Sequence, residues 1–154
     1  MDCEHTCCVT GHRDIPADKA DLIRSQLTSA VQAAIACGYT HFISGFAAGV
    51  DLMFAEIIAE LKASHAITLE AAIPYPGRMK TPDMTFQRLI RICDIVKTHS
   101  AGYLKKCYRV RNRYMVDHSS LVIAVYDGRK TGGTATTVRY ASKLGRSIKQ
   151  ISVW

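Results

Sequence analysis

The chain has 154 residues, of which 48% are hydrophobic and 21% charged, and its formal net charge is +7. That length suits one domain with a proper core and is short for two, so residues 1–154 are read as a single domain. No apolar run is long enough to cross a bilayer, no initial stretch has the order of a secretory signal, and a cytoplasmic location with no membrane partner is expected.

Thr6 to Thr10 (TCCVT) reads as a first strand, running directly into Gly11, His12 and Arg13. Asp14, Ile15 and Pro16 lead into a helix from about Ala17 to Cys37, with Leu22, Ile23, Leu27, Ala30, Val31, Ala34 and Ile35 as its apolar stripe and Gly38 as its stop. Residues just past a strand's carboxyl end face the ligand in an open α/β sheet. His12 reads as a turn histidine bonded to backbone or as a ligand contact. For Arg13 the position favours a functional role over a plain surface charge.

Thr40 to Ser44 (THFIS) reads as a second strand, followed by the small-residue loop Gly45 to Gly49 and a helix with Met53, Phe54, Ile57, Ile58 and Leu61 facing inward. Small residues let backbone approach a ligand closely. Asp51 stands at the start of that helix, where spacing favours a capping role. The alternatives are an acceptor for a ribose hydroxyl, or an acid/base.

Ile67 to Pro74 reads as a third strand, ending in the stiff loop Pro74, Tyr75, Pro76, Gly77. Phe86 to Val96 has a helical pattern (Phe86, Leu89, Ile90, Cys93, Val96), and Ala101 to Leu104 reads as a brief strand. A basic helix from Lys106 to Asp117 follows.

Leu121 to Tyr126 is a nearly continuous apolar run, suited to a parallel strand buried on both faces. Asp127 and Gly128 form a turn and a flexible basic link follows. Then come Gly132, Gly133 and Thr134, and from Ala135 a helix with Val138, Ala141 and Leu144 on one face. A strand, then glycines, then an open helix N-terminus holds a phosphate: unpaired N–H groups point outward, and glycine removes the Cβ that would keep an anion away. Ile148 to Trp154 closes the chain as a last strand. Strands alternating with helices indicate an α/β fold with a mainly parallel, doubly wound sheet.

The positive charges are scattered, with one concentration from Lys105 to Arg113 (KKCYRVRNR), read as a solvated helix face near a site that needs arginine, in preference to a nucleic-acid surface. The six cysteines, at 3, 7, 8, 37, 93 and 107, read as free buried thiols. The opening CEHTCC is not read as a zinc site, because Cys7 and Cys8 would point to opposite faces of a strand and no second CxxC or HxxxH exists. No metal or cofactor is called for.

Four segments together resemble the YpsA-like branch of the SLOG superfamily, Rossmann-like proteins that also include the LOG phosphoribohydrolases and the DprA DNA-processing proteins. They are VTGHR (Val9 to Arg13), SGFAAGVD (Ser44 to Asp51), RNRYMVDHSSLVIAVYDG (Arg111 to Gly128) and GGTATTVRYA (Gly132 to Ala141), which cover nearly the whole chain in order. The resemblance implies a Rossmann-like three-layer sandwich, with a pocket for a nucleotide-derived ligand at the strand carboxyl ends. In it Gly132, Gly133 and Thr134 would hold a phosphate, and Ser44, Gly45 and Gly49 would give close backbone contact. Arg13 and Arg111 would be guanidinium clamps, with Asn112 supporting them or reading a sugar or base edge. Gly11, His12, Pro74, Asp127 and Gly128 belong to the same expected edge.

LOG-type hydrolases resemble PGGxGTxxE. Laid on this chain, the threonine falls on Thr136, the third glycine becomes Ala135 and the glutamate position holds Arg139. An arginine cannot serve as that carboxylate, which weighs against a LOG-like phosphoribohydrolase. The expected function is binding or sensing of a nucleotide-derived ligand. The alternative is an enzyme cleaving an N-glycosidic or phosphate bond, with Asp51 or Asp127 as its carboxylate. Single-stranded nucleic-acid binding, with Tyr103, Tyr108 and Tyr114 stacking on bases, stands third. Self-association suits so small a Rossmann-like domain.

Overall fold

The computed structural model describes residues 3–153. Six strands form one sheet: β1 (Thr6–Gly11), β2 (His41–Ser44), β3 (Thr68–Ile73), β4 (Ile95–Thr98), β5 (Leu121–Val125) and β6 (Ser147–Ile151). Every pairing is parallel and the order is β4-β3-β2-β1-β5-β6. Five α-helices connect them: α1 (Ala20–Ala36), α2 (Val50–Leu61), α3 (Met84–Ile90), α4 (Cys107–Asp117) and α5 (Gly133–Lys143). This is the Rossmann-like α/β architecture expected. No helix among the described residues is long and apolar enough to cross a membrane.

Parallel strands covered on both faces need apolar side chains at successive positions, and β1, β2 and β5 supply them. Cys7, on one face of β1, joins the larger core with Leu27, Phe42 and Phe54, while Cys8 points the other way to Met115 and Val122. Burial pushes the Cys8 thiol up to about 12, so it behaves as a small hydrophobe. All six cysteines are free, but Cys37 is exposed and Cys3 and Cys93 are half-buried, contrary to the reading of uniformly buried thiols.

The third helix ends early. Its pattern was expected to reach Val96, yet α3 stops at Ile90 and Ile95–Thr98 is the edge strand β4. Tertiary pairing overrides the periodicity here: Leu69 donates its N–H to the Asp94 carboxylate and accepts the Asp94 N–H, which starts the β3–β4 ladder. Ala101 to Leu104 forms no strand. Leu22 and Leu144, expected on inward faces, are exposed, and α5 instead buries Thr134, Ala135, Thr137 and Ala141. The last strand ends at Ile151, and Trp154 lies outside the described residues.

Strand order reverses direction at β1, with β2 on one side and β5 on the other. In an open α/β sheet the crevice outside the carboxyl ends at such a switch is where ligands bind.

Candidate functional site

A cleft of about 320 Å³ opens at that switch. Gly11, His12 and Arg13 line it from the end of β1, Asp51 from α2, Arg111 and Asn112 from α4, and Gly132, Gly133 and Thr134 from the start of α5. The sequence reading therefore converges on one place for these nine residues. Asp14, Ala47, Arg129 and Thr131 also line it and were not singled out. Arg129 sits in a basic link with no periodicity, so its only signal was a charge just past a strand end.

Arg111 is the fixed cation. It is only 3% exposed, its Nη1 donates to the carbonyls of Gly45 and Ala72, and its Nε donates to Asn112 Oδ1 at 2.8 Å. No hydrogen bond from Nη2 to the described residues accompanies these. Arg13 is exposed and its guanidinium lies 5.0 Å from the centre of the Tyr108 ring, with that of Arg111 at 5.6 Å.

Asp51 is buried beside them. Its Oδ2 accepts the Ala47 N–H at 3.3 Å, so it reaches back to the loop before its own helix. Burial raises its carboxyl to about 6, against the opposing pull of Arg111, the Ala47 N–H and Arg13. A group poised near neutral pH inside a cleft is suited to proton transfer or to a switch of charge.

Asp127 is different. Arg129 donates its Nε and Nη2 to that carboxylate, and the Arg129 N–H adds a third donor. These bonds hold Asp127 well below the usual carboxylate range, which leaves it a poor proton acceptor. His12 Nε2 accepts the Asp127 N–H at 3.3 Å and lies 3.4 Å from Oδ1. His12 is thus tied to backbone, the turn role considered for it, while still lining the cleft.

The glycines divide into two groups. A Cβ on Gly11 would fall 2.5 Å from Val50, one on Gly45 2.6 Å from Arg111 Nη1, and one on Gly49 2.4 Å from the Arg13 carbonyl. These three make room for protein atoms. Gly132 and Gly133 have nothing within 4 Å of a built Cβ, and Gly132 has φ of 98°. The N-cap of α5 has no side-chain hydrogen bond and the first internal bond runs from Thr136 N–H to the Gly132 carbonyl. The N–H groups of residues 133–135 therefore face outward, as the first donors of a helix do.

The remaining expected residues lie outside the cleft lining. Ser44 is fully buried, its hydroxyl donating to the Asp51 carbonyl and accepting from Phe46 N–H. Gly45 and Pro74 line a smaller recess of about 170 Å³ that shares Arg13 and Arg111 with the cleft. Gly128 is exposed, with φ of 87°. Tyr114, considered for base stacking, instead donates its hydroxyl to Glu70 Oε2 inside the protein.

Comparison with known proteins agrees with this fold. The model of the YspA SLOG family (YpsA) matches residues 7–153. The uncharacterized SPbeta prophage-derived protein YoqJ of Bacillus subtilis (strain 168) is 30% identical over 127 residues, which is 70% of this chain and 74% of that protein. Two solved structures have the same fold. DNA processing protein A (DprA) of Streptococcus pneumoniae superposes with a TM-score of 0.75 at 17% identity, over 98% of this chain and 51% of that one. The Helicobacter pylori DprA structure, described by its single-stranded DNA binding mode, gives 0.68 at 16% identity over 97% of this chain and 66% of its own. The chain thus spans about half of the first DprA chain. It belongs to the YpsA SLOG family.

Proposed function

We propose that this YpsA family member binds or senses a nucleotide-derived ligand, seating a phosphate at the start of α5. The observation that carries this reading is the open helix N-terminus in a cleft also lined by Arg13, Arg111 and Arg129. Outward N–H groups and the helix dipole favour an anion. Arg111, fixed by two carbonyls and Asn112, offers its Nη2 edge without reorganisation, and guanidinium matches phosphate geometry. Arg139, at the position of the LOG glutamate, donates to the Lys130 carbonyl and supports the loop before α5.

The test is calorimetric titration with a panel of nucleosides, their 5′-phosphates, ADP-ribose and a phosphorylated pentathymidylate. Binding of phosphorylated members and none of the bare nucleosides is expected. A silent panel, with no thermal shift, would end this reading. The pentathymidylate takes in the single-stranded DNA binding named for the H. pylori neighbour. Native mass spectrometry of the same sample reads self-association.

A second reading, cleavage of the bound nucleotide, is favoured by Asp51 alone, because its carboxyl lies in the cleft and titrates near neutral pH. Release of base or phosphate that disappears in Asp51→Asn would establish it; an intact ligand after long incubation would dismiss it.

A further inference from the structure

Resting on the phosphate reading, we propose that the groove between α4 and α5 is a second anion subsite, so that the ligand is a nucleoside with phosphate on both sides, a 3′,5′-bisphosphate unit. The groove, about 660 Å³, is lined by Lys105, Arg109, Arg113, Arg139 and Lys143 and by no carboxylate. Asn112 and Gly133 line both this groove and the phosphate cleft, so the two spaces adjoin.

The charge pattern argues for an anionic occupant. Lys105, Arg109 and Arg113 recur every fourth residue along α4 and the residues before it, and Arg139 and Lys143 do so on α5. Like charges at that spacing are neighbours on one face and repel. Two such ladders face one groove, which is unfavourable for the free protein and relieved by a bound anion. Arg113 is held 4.8 Å over the Tyr140 ring, and the Tyr140 hydroxyl donates to Asp117, which is not part of the lining.

Spacing selects the ligand class. From Cys107, where α4 starts, to Arg113 the helix rise amounts to about 9 Å. The second phosphate of a pyrophosphate would lie next to the first, beside Arg13 and Arg129, which line the same cleft. A phosphate on the far side of the nucleoside reaches the groove. A free bisphosphorylated nucleotide and a nucleic-acid strand share that chemistry.

The experiment titrates AMP, ADP, adenosine 3′,5′-bisphosphate and 5′-phosphorylated pentathymidylate into wild type and Arg109→Gln/Arg113→Gln. Both arginines are exposed, and a thermal melt checks that the variant folds. The bisphosphate should bind about tenfold or more tighter than AMP, ADP should gain less than about threefold, and the double variant should lose the gain while binding AMP as before. Pentathymidylate tighter than the bisphosphate, with a salt slope reduced by about 1.4 in the variant, identifies a strand as the source; equal or weaker binding identifies the small nucleotide. AMP binding with no bisphosphate gain, an equal gain with ADP, or a gain that survives the variant overturns the second subsite alone. Failure of all four ligands overturns the cleft reading and this extension together.

Discussion

Two carboxylates are buried among the described residues, Glu70 and Asp51, and they are treated in opposite ways. Glu70, on β3, is fully buried and accepts from both His41 Nε2 at 2.7 Å and the Tyr114 hydroxyl. Burial alone would raise its carboxyl, but those bonds more than reverse the effect and hold it below its ordinary value. Asp51, also buried, accepts one longer bond from Ala47 and has no ion-pair contact within 4 Å among the described residues, so burial wins. A satisfied buried network stabilises, whereas a carboxylate in a cleft whose value burial raises is a candidate functional group. Beside the Glu70 network, His99 Nε2 is buried without a partner, and burial pushes that imidazole toward its neutral form.

The largest expected effect is on the satisfied side. Glu70→Ala strands His41 and Tyr114 inside the protein, and unpaired buried partners cost about 3 kcal/mol or more. Asp51→Asn removes a poorly solvated charge and should cost less than about 1 kcal/mol, or even stabilise. Urea unfolding at pH 7 measures both. Equal losses would erase the contrast between the two centres.

Stability against pH sharpens the same comparison. Asp51 has a folded value of about 6 against 3.8 for the free group, so between these pH values the folded state holds more protons than the unfolded. Its contribution must therefore fall as pH rises from about 4 to 6, by at most about 3 kcal/mol. Glu70 has the opposite sign: its folded value is lowered, so its contribution is present above 4.5 and is lost as pH falls below it. The gap between wild type and Asp51→Asn should widen in favour of the variant from pH 4 to 7. A gap that stays constant would mean that Asp51 is not shifted.

Much of this was legible in the chain, and the rest was hidden for physical reasons. Apolar runs marked β1, β2, β3 and β5, because strands covered on both faces bury most of their successive side chains. β4 was not legible: Ile95–Thr98 is a mostly exposed edge strand, and Cys93 and Val96 happen to continue the period of α3. Glu70 and its partners were not singled out either, since His41 and Tyr114 lie 29 and 44 residues away and meet it only through sheet and helix packing. In the site, glycine was a correct pointer with an incomplete meaning. Gly11, Gly45 and Gly49 clear space for Val50, Arg111 and the Arg13 carbonyl, and only the geometry separates them from Gly132 and Gly133.

That separation is testable with a smaller effect on stability than Glu70→Ala. Gly133→Ala places a methyl in open space at a helical position, where it should leave stability unchanged or raise it by up to about 1 kcal/mol. The same methyl stands where the phosphate would approach, so nucleotide affinity should drop about tenfold, or about 1.4 kcal/mol. Gly45→Ala should instead weaken binding and lower the melting temperature together, since it displaces Arg111. If Gly133→Ala binds nucleotide normally, the phosphate is not at the start of α5.

The smallest effect concerns the proton on Asp51. An anion seated beside Arg111 adds negative charge near a carboxyl already at about 6, so binding should raise that value further and take up a fraction of a proton near pH 6.5. A nucleotide phosphate titrates in the same range, with its second ionisation near about 6, and lowering the pH reduces its charge. The two effects oppose each other in any single affinity-versus-pH curve. Calorimetry in two buffers of different ionisation enthalpy counts the protons directly, and subtracting the Asp51→Asn result cancels the ligand's own share. A surplus uptake in wild type assigns the proton to Asp51 and makes the cleft prefer ligand as pH falls through 6. Identical counts in both proteins would leave the Asp51 charge uncoupled from binding, and the contrast with Glu70 would then concern stability alone.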